Sequence, residues 1–244
     1  MTRSLRHLPT PCSSAGFSLI ELAIVLVIFT LLAGGLMMTL SAQQETRRLT
    51  EVRRQLADIR EALIGYALAN GRLPPAADPT LASGTVGAGV ATEDLEKGVL
   101  PWATLGLPET DPWGQRFTYR VVPEFADKID ENTVPKCDPP ASTPPPPVQA
   151  SFALCSQGNI TVADGTANIA TELPVIVISH GRNGLGGYGR DGKRRSGAAG
   201  NELENADDNT NFVSRPQSPD FDDEVTWVPL PILMSRMVTT GRLP

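Results

Sequence analysis

The feature that most limits what this chain can form is an apolar run near its amino terminus, from Phe17 to Leu40. The polar residues within that run are Ser18, Glu21, Thr30 and Thr39. A helix crosses a bilayer with about 20 predominantly apolar residues, so the run predicts a transmembrane helix over residues 17–40. No later stretch is comparably apolar, and we expect a single span. Glu21 is the exception to explain, because a charged side chain in hydrocarbon costs about 2.5 to 3.5 kcal/mol on insertion scales.

An amphipathic pattern continues directly from the apolar run. Apolar side chains recur every three or four residues, which places them on one helix face. They are Leu49, Val52, Leu56, Ile59, Leu63 and Tyr66. No proline lies between residues 17 and 70, so we expect one continuous helix with a membrane half, 17–40, and an amphipathic half, 41–70. An ordinary secretory signal cleaved near Ser41 or Ala42 is the alternative, although its apolar core would be only about 7 to 15 residues long.

Residues 71–244 carry the pattern of a globular head. Leu73-Pro74-Pro75 ends the helical pattern, since proline cannot continue an α-helix. Strand-like runs follow over residues 116–122, 150–154, 159–163, 173–179 and 224–228. Val175 to Ile178 is the most apolar run and should be central in the sheet, and the spacing over Leu230–Val238 indicates a helix packed on that sheet. The predicted fold class is α+β, with a long amino-terminal helix packed on a carboxy-terminal antiparallel sheet.

Two cysteines flank a proline-rich segment. Cys137 and Cys155 lie on either side of residues 138–147, which contain Pro139, Pro140 and the run Pro144–Pro147. Such a segment forms an exposed, extended loop. In an oxidising compartment the two cysteines could form a disulfide at its base, worth about 3 kcal/mol in a loop-entropy treatment. Two unpaired thiols are the alternative.

Composition and motifs argue against two classes of function. The formal net charge is -6 and aromatic residues make up 5% of the chain, whereas nucleic-acid binding needs clustered Lys and Arg with stacking aromatics. The two histidines, His7 and His180, lack the sequence context of a catalytic site. Residues 184–189 match GxGxxG without a helical pattern after them, and residues 187–193 match a phosphate-binding loop up to Arg194, which replaces its Ser or Thr. We therefore expect no enzyme activity and no nucleic acid as the main partner.

The start of the apolar run carries a family resemblance. Gly16-Phe17-Ser18-Leu19-Ile20-Glu21, followed by a long amphipathic helix, resembles the amino terminus of type IV pilins and type II secretion pseudopilins. The resemblance implies that residues 1–16 are a leader, that a prepilin peptidase cuts between Gly16 and Phe17, and that Phe17 becomes N-methylated. It also gives Glu21 a partner, the amine of Phe17 in a neighbouring subunit, which is positive at neutral pH. The implied partners are the peptidase and methyltransferase, other pilin or pseudopilin subunits, and an inner-membrane assembly platform. The head is expected in the periplasm.

A second resemblance lies in the head. The turn Asp111-Pro112-Trp113-Gly114 before a strand is similar to that of secretion pseudopilins, with Trp113 expected in the core, and the glycine loop after Ser179 is similar to the calcium-binding loop of major pseudopilins. This implies a calcium site at Asn183, Asp191, Asp222 and Asp223. The family prefers aspartate where this chain has Asn183, basic residues at 190 and 193–195 would repel a cation, and an acidic stretch, Glu202–Asp208, separates the two halves of the loop. A surface loop that binds no metal is the alternative.

These observations favour a structural subunit of a type II secretion pseudopilus, inserted in the inner membrane and assembled through its amino-terminal helix. Two other functions remain open. One is a type IV minor pilin used for adhesion, motility or DNA uptake. The other, of a different class, is a periplasmic enzyme or binding domain anchored by one membrane span.

Overall fold

The computed structural model describes residues 18–129 and 149–243, without the side chains of residues 33–41. The predicted leader 1–16, the cleavage residues Gly16 and Phe17, the proline-rich loop 138–147 and Cys137 lie outside the described residues. The chain divides into two compact units, and the boundary in the sequence lies between Arg47 and Arg48.

The first element is a helix, α1, that spans Leu19–Asn70. In the first unit its apolar side chains are exposed from Leu19 to Leu32. Among the residues that the structure describes, no helix is both long and apolar enough to cross a membrane. The predicted span, residues 17–40, includes Phe17 and the side chains of residues 33–40, which are not among them.

Within the second unit α1 is amphipathic. Val52, Leu56, Ile59 and Leu63 are at most 4% exposed and belong to the main hydrophobic core, so four residues of the predicted face are buried. The helix ends at Asn70, where Gly71 adopts a positive φ of 73° and Pro74 and Pro75 follow. Glycine in this left-handed conformation is a common helix terminator.

A four-stranded sheet packs into the same core as this part of α1. It consists of β1 (Lys97–Val99), β3 (Thr118–Val121), β6 (Val175–Ser179) and β9 (Glu224–Trp227), in the order β1-β3-β6-β9. All three pairings are antiparallel, with Tyr119 opposite Val177 and Val177 opposite Thr226. Every residue of β6 is buried, which confirms the predicted central position of the run Val175–Ile178.

Two smaller sheets lie beside the main one. One pairs β4 (Ile160–Ala163) antiparallel with β5 (Asn168–Leu173) and parallel with β8 (Asn211–Val213). The other pairs β2 (Gln115–Arg116) with β7 (Tyr188–Gly189). The remaining elements are the helices α2 (Trp102–Leu105), α3 (Pro123–Ala126), α4 (Gly200–Ala206) and α5 (Leu230–Thr239). Leu233 and Met237 of α5 are fully buried in the main core, as the predicted packing requires.

Several strand predictions were wrong in detail. Residues 150–154 form bends and the start of a turn instead of a strand, and the Ser151 N–H donates to Gly71 O at 3.0 Å, at the end of α1. The predicted strand 116–122 divides at Phe117, since Arg116 pairs with β7 whereas Thr118 pairs with β1 and β6. The predicted strand 173–179 divides at Pro174, which has no N–H to donate to a sheet.

The Asp-Pro-Trp-Gly turn is closed by the carboxylate of Asp111. Its Oδ1 accepts hydrogen bonds from the backbone N–H groups of Trp113 and Gln115 at 3.0 and 2.9 Å, and its Oδ2 accepts one from Ser179 Oγ at 2.7 Å. Burial raises the pKa of Asp111, against the effect of these hydrogen bonds. The turn therefore joins β2 to the end of β6, and Trp113 packs against the core as a partly buried side chain.

Candidate functional site

Two separate segments bring acidic side chains together at one end of the main sheet. Asp222 and Asp223 immediately precede β9, and Glu202 lies in α4. One oxygen from each of these three carboxylates lies within 4.8 Å of the other two. Glu202 and Asp223 are only 4% and 3% exposed, respectively. We call Glu202, Asp222 and Asp223 the carboxylate cluster.

Asn183, in the loop after β6, connects two members of the cluster. Its backbone N–H donates to Asp222 Oδ2 at 2.9 Å, and its side-chain Nδ2 donates to Glu202 Oε1 at 2.7 Å. The loop comes this close because Gly181 has a positive φ of 57° and no Cβ. A Cβ there would lie 2.3 Å from Asp222 O and 2.7 Å from Asp222 Oδ1.

Asn205 of α4 orients the third member. Its Nδ2 donates to Asp223 Oδ2 at 2.7 Å, and its Oδ1 accepts from the Val213 N–H at 2.7 Å. The second bond fixes which end of the amide faces Asp223, because only the nitrogen end can donate to a carboxylate. Each aspartate of the cluster therefore has its Oδ2 hydrogen-bonded to an asparagine, Asn183 for Asp222 and Asn205 for Asp223.

The other oxygens of the two aspartates have no such partner. Asp222 Oδ1 and Asp223 Oδ1 are buried and accept no hydrogen bond from the described residues, and the same holds for His180 Nδ1. His180 is fully buried directly after β6, and its Nδ1 lies 3.6 Å from Asp223 Oδ1. Unsatisfied buried polar atoms are rare in folded proteins and call for an explanation.

Electrostatics make the cluster a site of concentrated negative charge. Burial raises the pKa of Glu202, and the neighbouring charges of Asp223 and Asp222 raise it further. Among the ion pairs of the described residues, none joins a Lys or Arg to the three carboxylates. Oxygen ligands of this kind suit a divalent cation such as calcium. The donor set and the two orphaned aspartate oxygens thus fit a bound cation, which Glu202, Asp222 and Asp223 would hold.

The structure brings together three of the four residues named from the sequence for calcium, Asn183, Asp222 and Asp223. Asp191 does not belong to the cluster: its Oδ1 accepts from the Lys193 N–H at 3.1 Å, and this hydrogen bond lowers the pKa of its carboxyl. Sequence reasoning missed Glu202. The acidic stretch that contains it looked like an insertion between the two halves of the loop, whereas it folds back as α4 and supplies a carboxylate.

Two of the basic residues near the loop, Arg190 and Arg194, are directed to other groups. Arg190 Nε lies 3.4 Å from Glu109 Oε2, and Arg194 donates to the backbone oxygens of Gly186 and Ala206. The repulsion that these two arginines were expected to exert on a bound cation is therefore weaker than the sequence alone suggested.

The residues of the amino-terminal signature lie in the other unit. Glu21 is exposed in the first turn of α1, while Gly16 and Phe17 lie outside the described residues. Of the two cysteines, Cys155 is in the described part of the chain and Cys137 is not, so the predicted disulfide stays a prediction.

Comparison with protein families identifies residues 12–37 as the prokaryotic N-terminal methylation motif. Neither the curated proteins nor the solved structures gave a significant match to the chain. The matched segment contains Gly16, Phe17 and Glu21, the residues expected to take part in processing and assembly. The chain therefore carries the amino-terminal signature of type IV prepilins and pseudopilins.

Proposed function

We propose that the chain is a structural subunit of a type II secretion pseudopilus, processed by prepilin peptidase and assembled through its amino-terminal helix. The observation that carries this proposal is the methylation motif at residues 12–37. The proposal assigns no catalytic activity to the chain.

Processing and assembly are linked through one carboxylate. Cleavage after Gly16 would create a charged amine on Phe17, four residues before Glu21 in the sequence. An acid placed in an apolar segment costs about 2.5 to 3.5 kcal/mol, so such residues usually have a partner and a function. In the proposed filament Glu21 binds the Phe17 amine of a neighbouring subunit and sets the axial register. Before assembly, the helix anchors the subunit in the inner membrane with its head in the periplasm.

We further propose that the carboxylate cluster binds a divalent cation and, from the resemblance of the glycine loop to that of major pseudopilins, that this cation is calcium. Asn183 and Asn205 hold one oxygen of Asp222 and of Asp223, and leave the other oxygens of these aspartates free to act as ligands. The cation would join α4 to the start of β9 and so stabilise this end of the head.

A pseudopilus is preferred to a type IV pilus because of two features in the head. These are the turn closed by Asp111 and the glycine loop after Ser179, which both resemble those of secretion pseudopilins. Deleting the gene in the native host separates the two functions: a pseudopilin mutant loses protein secretion, whereas a minor-pilin mutant loses pili, adhesion, motility or DNA uptake and keeps secretion.

The amino terminus of the protein extracted from the membrane is the most direct test of the proposal. Intact-mass analysis of membrane-extracted chain should show that residues 1–16 are removed and that Phe17 carries one methyl group. Gly16→Val should leave the leader attached, while Ser14→Val, two residues before the junction residue, should not. An amino terminus near Ala42 would show an ordinary secretory signal and would refute the proposal, whereas an uncleaved chain in the membrane would favour the periplasmic domain anchored by one membrane span.

A further inference from the structure

A small cavity opens between β1, β7 and α4 and has charged side chains in its lining. Its volume is about 120 Å³, and the charged residues among those that line it are Lys97, Arg194 and Asp208. Tyr188 of β7 and Gly98 of β1 also contribute to its wall. Because one water molecule needs about 10 to 15 Å³ of such space, the cavity can hold a ligand group of several non-hydrogen atoms.

The charges in this lining do not balance. Lys97 and Arg194 bring two positive charges, and Asp208 brings one negative charge. Asp208 Oδ1 accepts a hydrogen bond from Lys97 Nζ at 2.8 Å, whereas no ion pair of the described residues includes Arg194. The Asp208 side chain is 93% exposed, so it reaches the ammonium from solvent and leaves the interior of the cavity free. The lining therefore has an excess of one positive charge.

The pKa of Lys97 reflects this excess. Burial lowers the pKa from its ordinary value, and the positive charges of Arg120 and Arg194 lower it further. The hydrogen bond and the charge of Asp208 raise it, but the net shift is downward. Arg120 itself lies near a carboxylate, with Nη2 4.0 Å from Glu96 Oε2. A second carboxylate beside Lys97 would offset the neighbouring cations and raise its pKa again.

Hydrogen-bond donors beside the cavity are available to an anion. The Lys97 ammonium has three N–H donors, and one of them binds Asp208. Arg194 is held by its Nε and Nη2, which donate to the backbone oxygens of Gly186 and Ala206. Its Nη1 has no hydrogen bond to the described residues. The guanidinium is thus oriented in advance and keeps one nitrogen for a ligand.

We propose that this cavity is a binding site for a carboxylate, held by the Lys97 ammonium and the Arg194 guanidinium. Both groups form strong, charge-assisted hydrogen bonds with a carboxylate. One carboxylate cancels the excess charge of the lining, whereas a doubly charged phosphate would leave a negative charge uncompensated in a partly buried place. An acidic side chain of another protein, the end of a polypeptide chain and a small organic acid all present this group.

The carboxylate site goes beyond the proposed function. Its charged side chains, Lys97, Arg194 and Asp208, belong neither to the carboxylate cluster nor to α1. Failure of the cation site or of filament assembly would therefore leave it unaffected. It adds a binding function to the head.

The first experiment measures the pKa of Lys97 in the full-length chain, solubilised in a non-ionic detergent in metal-free buffer. NMR of 13C-labelled lysine follows the titration of the Lys97 Cε signal, which is identified by its absence in Lys97→Met. Saturating sodium acetate should raise the pKa of Lys97 relative to sodium chloride at the same ionic strength. A pKa that is the same in both salts would overturn the proposal.

The second experiment compares affinities through the amide resonance of Gly98, which lines the cavity. Lys97→Met should weaken acetate binding about tenfold or more. Lys193→Met is the control and should change it little, since Lys193 is exposed next to Arg194 but does not line the cavity. Asp208→Asn removes the competing carboxylate and should strengthen binding. Weaker binding in Asp208→Asn as well as in Lys97→Met would show that the pair only maintains the structure, and would contradict the proposal.

Comparing ligands identifies the source of the carboxylate. Sodium acetate represents a small organic acid, an acetylated and amidated Gly-Asp-Gly tripeptide represents an acidic side chain, and acetylated Gly-Gly-Gly with a free carboxylate represents a chain end. Saturable binding of any of them supports the site, and the tightest shows which source it suits. Sodium phosphate that binds more tightly than all of them would refute the assignment to a carboxylate.

Discussion

Arg53 of α1 and Glu224 of β9 form a two-point ion pair. Arg53 Nε donates to Glu224 Oε2 at 3.1 Å and Nη2 donates to Oε1 at 2.8 Å. Glu224 directly follows Asp223, a member of the carboxylate cluster. The pair therefore connects the long helix to the strand that begins at the candidate cation site.

We expect Arg53→Lys to lower the free energy of unfolding of the head by about 0.5 to 1 kcal/mol. Lysine keeps the charge but cannot form the two parallel bonds of a guanidinium. The effect stays small because the Arg53 side chain is 64% exposed and water screens such pairs. Denaturant unfolding measures it. Arg54→Lys is the control, since Arg54 lies 3.9 Å from Asp58 on the exposed face, and an equal loss in both variants would show that the paired geometry contributes nothing.

A buried arginine should matter more. Arg116 is fully buried, donates from Nε and Nη2 to Glu109 Oε1 at 3.0 and 2.9 Å, and donates from Nη1 to Leu81 O at 2.7 Å. Arg116→Leu should cost about 3 kcal/mol or more, because it breaks a pair whose arginine is fully buried and removes the guanidinium donor to the Leu81 carbonyl. Arg190→Gln tests the same carboxylate from its exposed side, 3.4 Å away, and should cost less than about 1 kcal/mol. Similar losses in the two variants would contradict this account.

These residues show which parts of the structure a sequence pattern can predict. The amphipathic face of α1 and the central strand β6 were predicted because a local repeat of apolar residues reports burial directly. No sequence pattern predicted that Arg116 is buried, since its partners Leu81 and Glu109 lie 35 and 7 residues away and follow no repeat. A charged residue in a strand looks exposed until its partners are known.

The residues of the candidate site likewise include some that the sequence predicted and one that it did not. Asp222 and Asp223 stand out as adjacent acids before a strand, and Asn183 was placed by resemblance. Glu202 belongs to α4, a helix of 7 residues, too short to show a periodic pattern. Only the fold brings it beside the aspartates, so the sequence could predict only part of a set of ligands that comes from two segments.

Neutralising Glu202 should separate charge repulsion from cation binding. Its raised pKa reflects burial and the charges of Asp223 and Asp222, so ionisation of Glu202 is less favourable in the cation-free head than in the unfolded chain. Glu202→Gln keeps the oxygen that accepts from Asn183, and in chelator it should be at least as stable as the wild type. A cation at 100 times its Kd should stabilise the wild type by about 2.7 kcal/mol and the variant much less. Thermal unfolding measures both, with Glu204→Gln of the same helix as control, and an unchanged cation effect in Glu202→Gln would exclude it as a ligand.

The turn between β4 and β5 should respond to strong acid. Asp164 Oδ1 accepts hydrogen bonds from the Thr166 N–H, the Thr166 hydroxyl and the Ala167 N–H at 2.7 to 2.8 Å, and these lower its pKa to about 2. Because the folded pKa lies below the unfolded value of 3.8, its contribution to stability is complete above pH 3.8 and is lost as the pH falls toward 2. NMR titration of the carboxyl carbon should give this low midpoint, and Thr166→Ala should raise it. A wild-type midpoint near 3.8 would show that the turn does not favour the ionised form.

The exposed acid at the start of α1 offers the clearest separation of processing from assembly. Glu21→Val leaves the junction between Gly16 and Phe17 unchanged, so we expect the leader to be removed at the normal rate. Incorporation into filaments should nevertheless fall at least about tenfold, because the variant leaves the Phe17 amine of the neighbouring subunit without a partner. A charge left unpaired in hydrocarbon costs about 2.5 to 3.5 kcal/mol, whereas a tenfold loss corresponds to only about 1.4 kcal/mol. Glu45→Val, on the same helix beyond the apolar run, should assemble normally. Quantifying the variants in sheared pilus or pseudopilus fractions measures this, and normal incorporation of Glu21→Val would remove Glu21 from the assembly contact even if the cleavage site were confirmed.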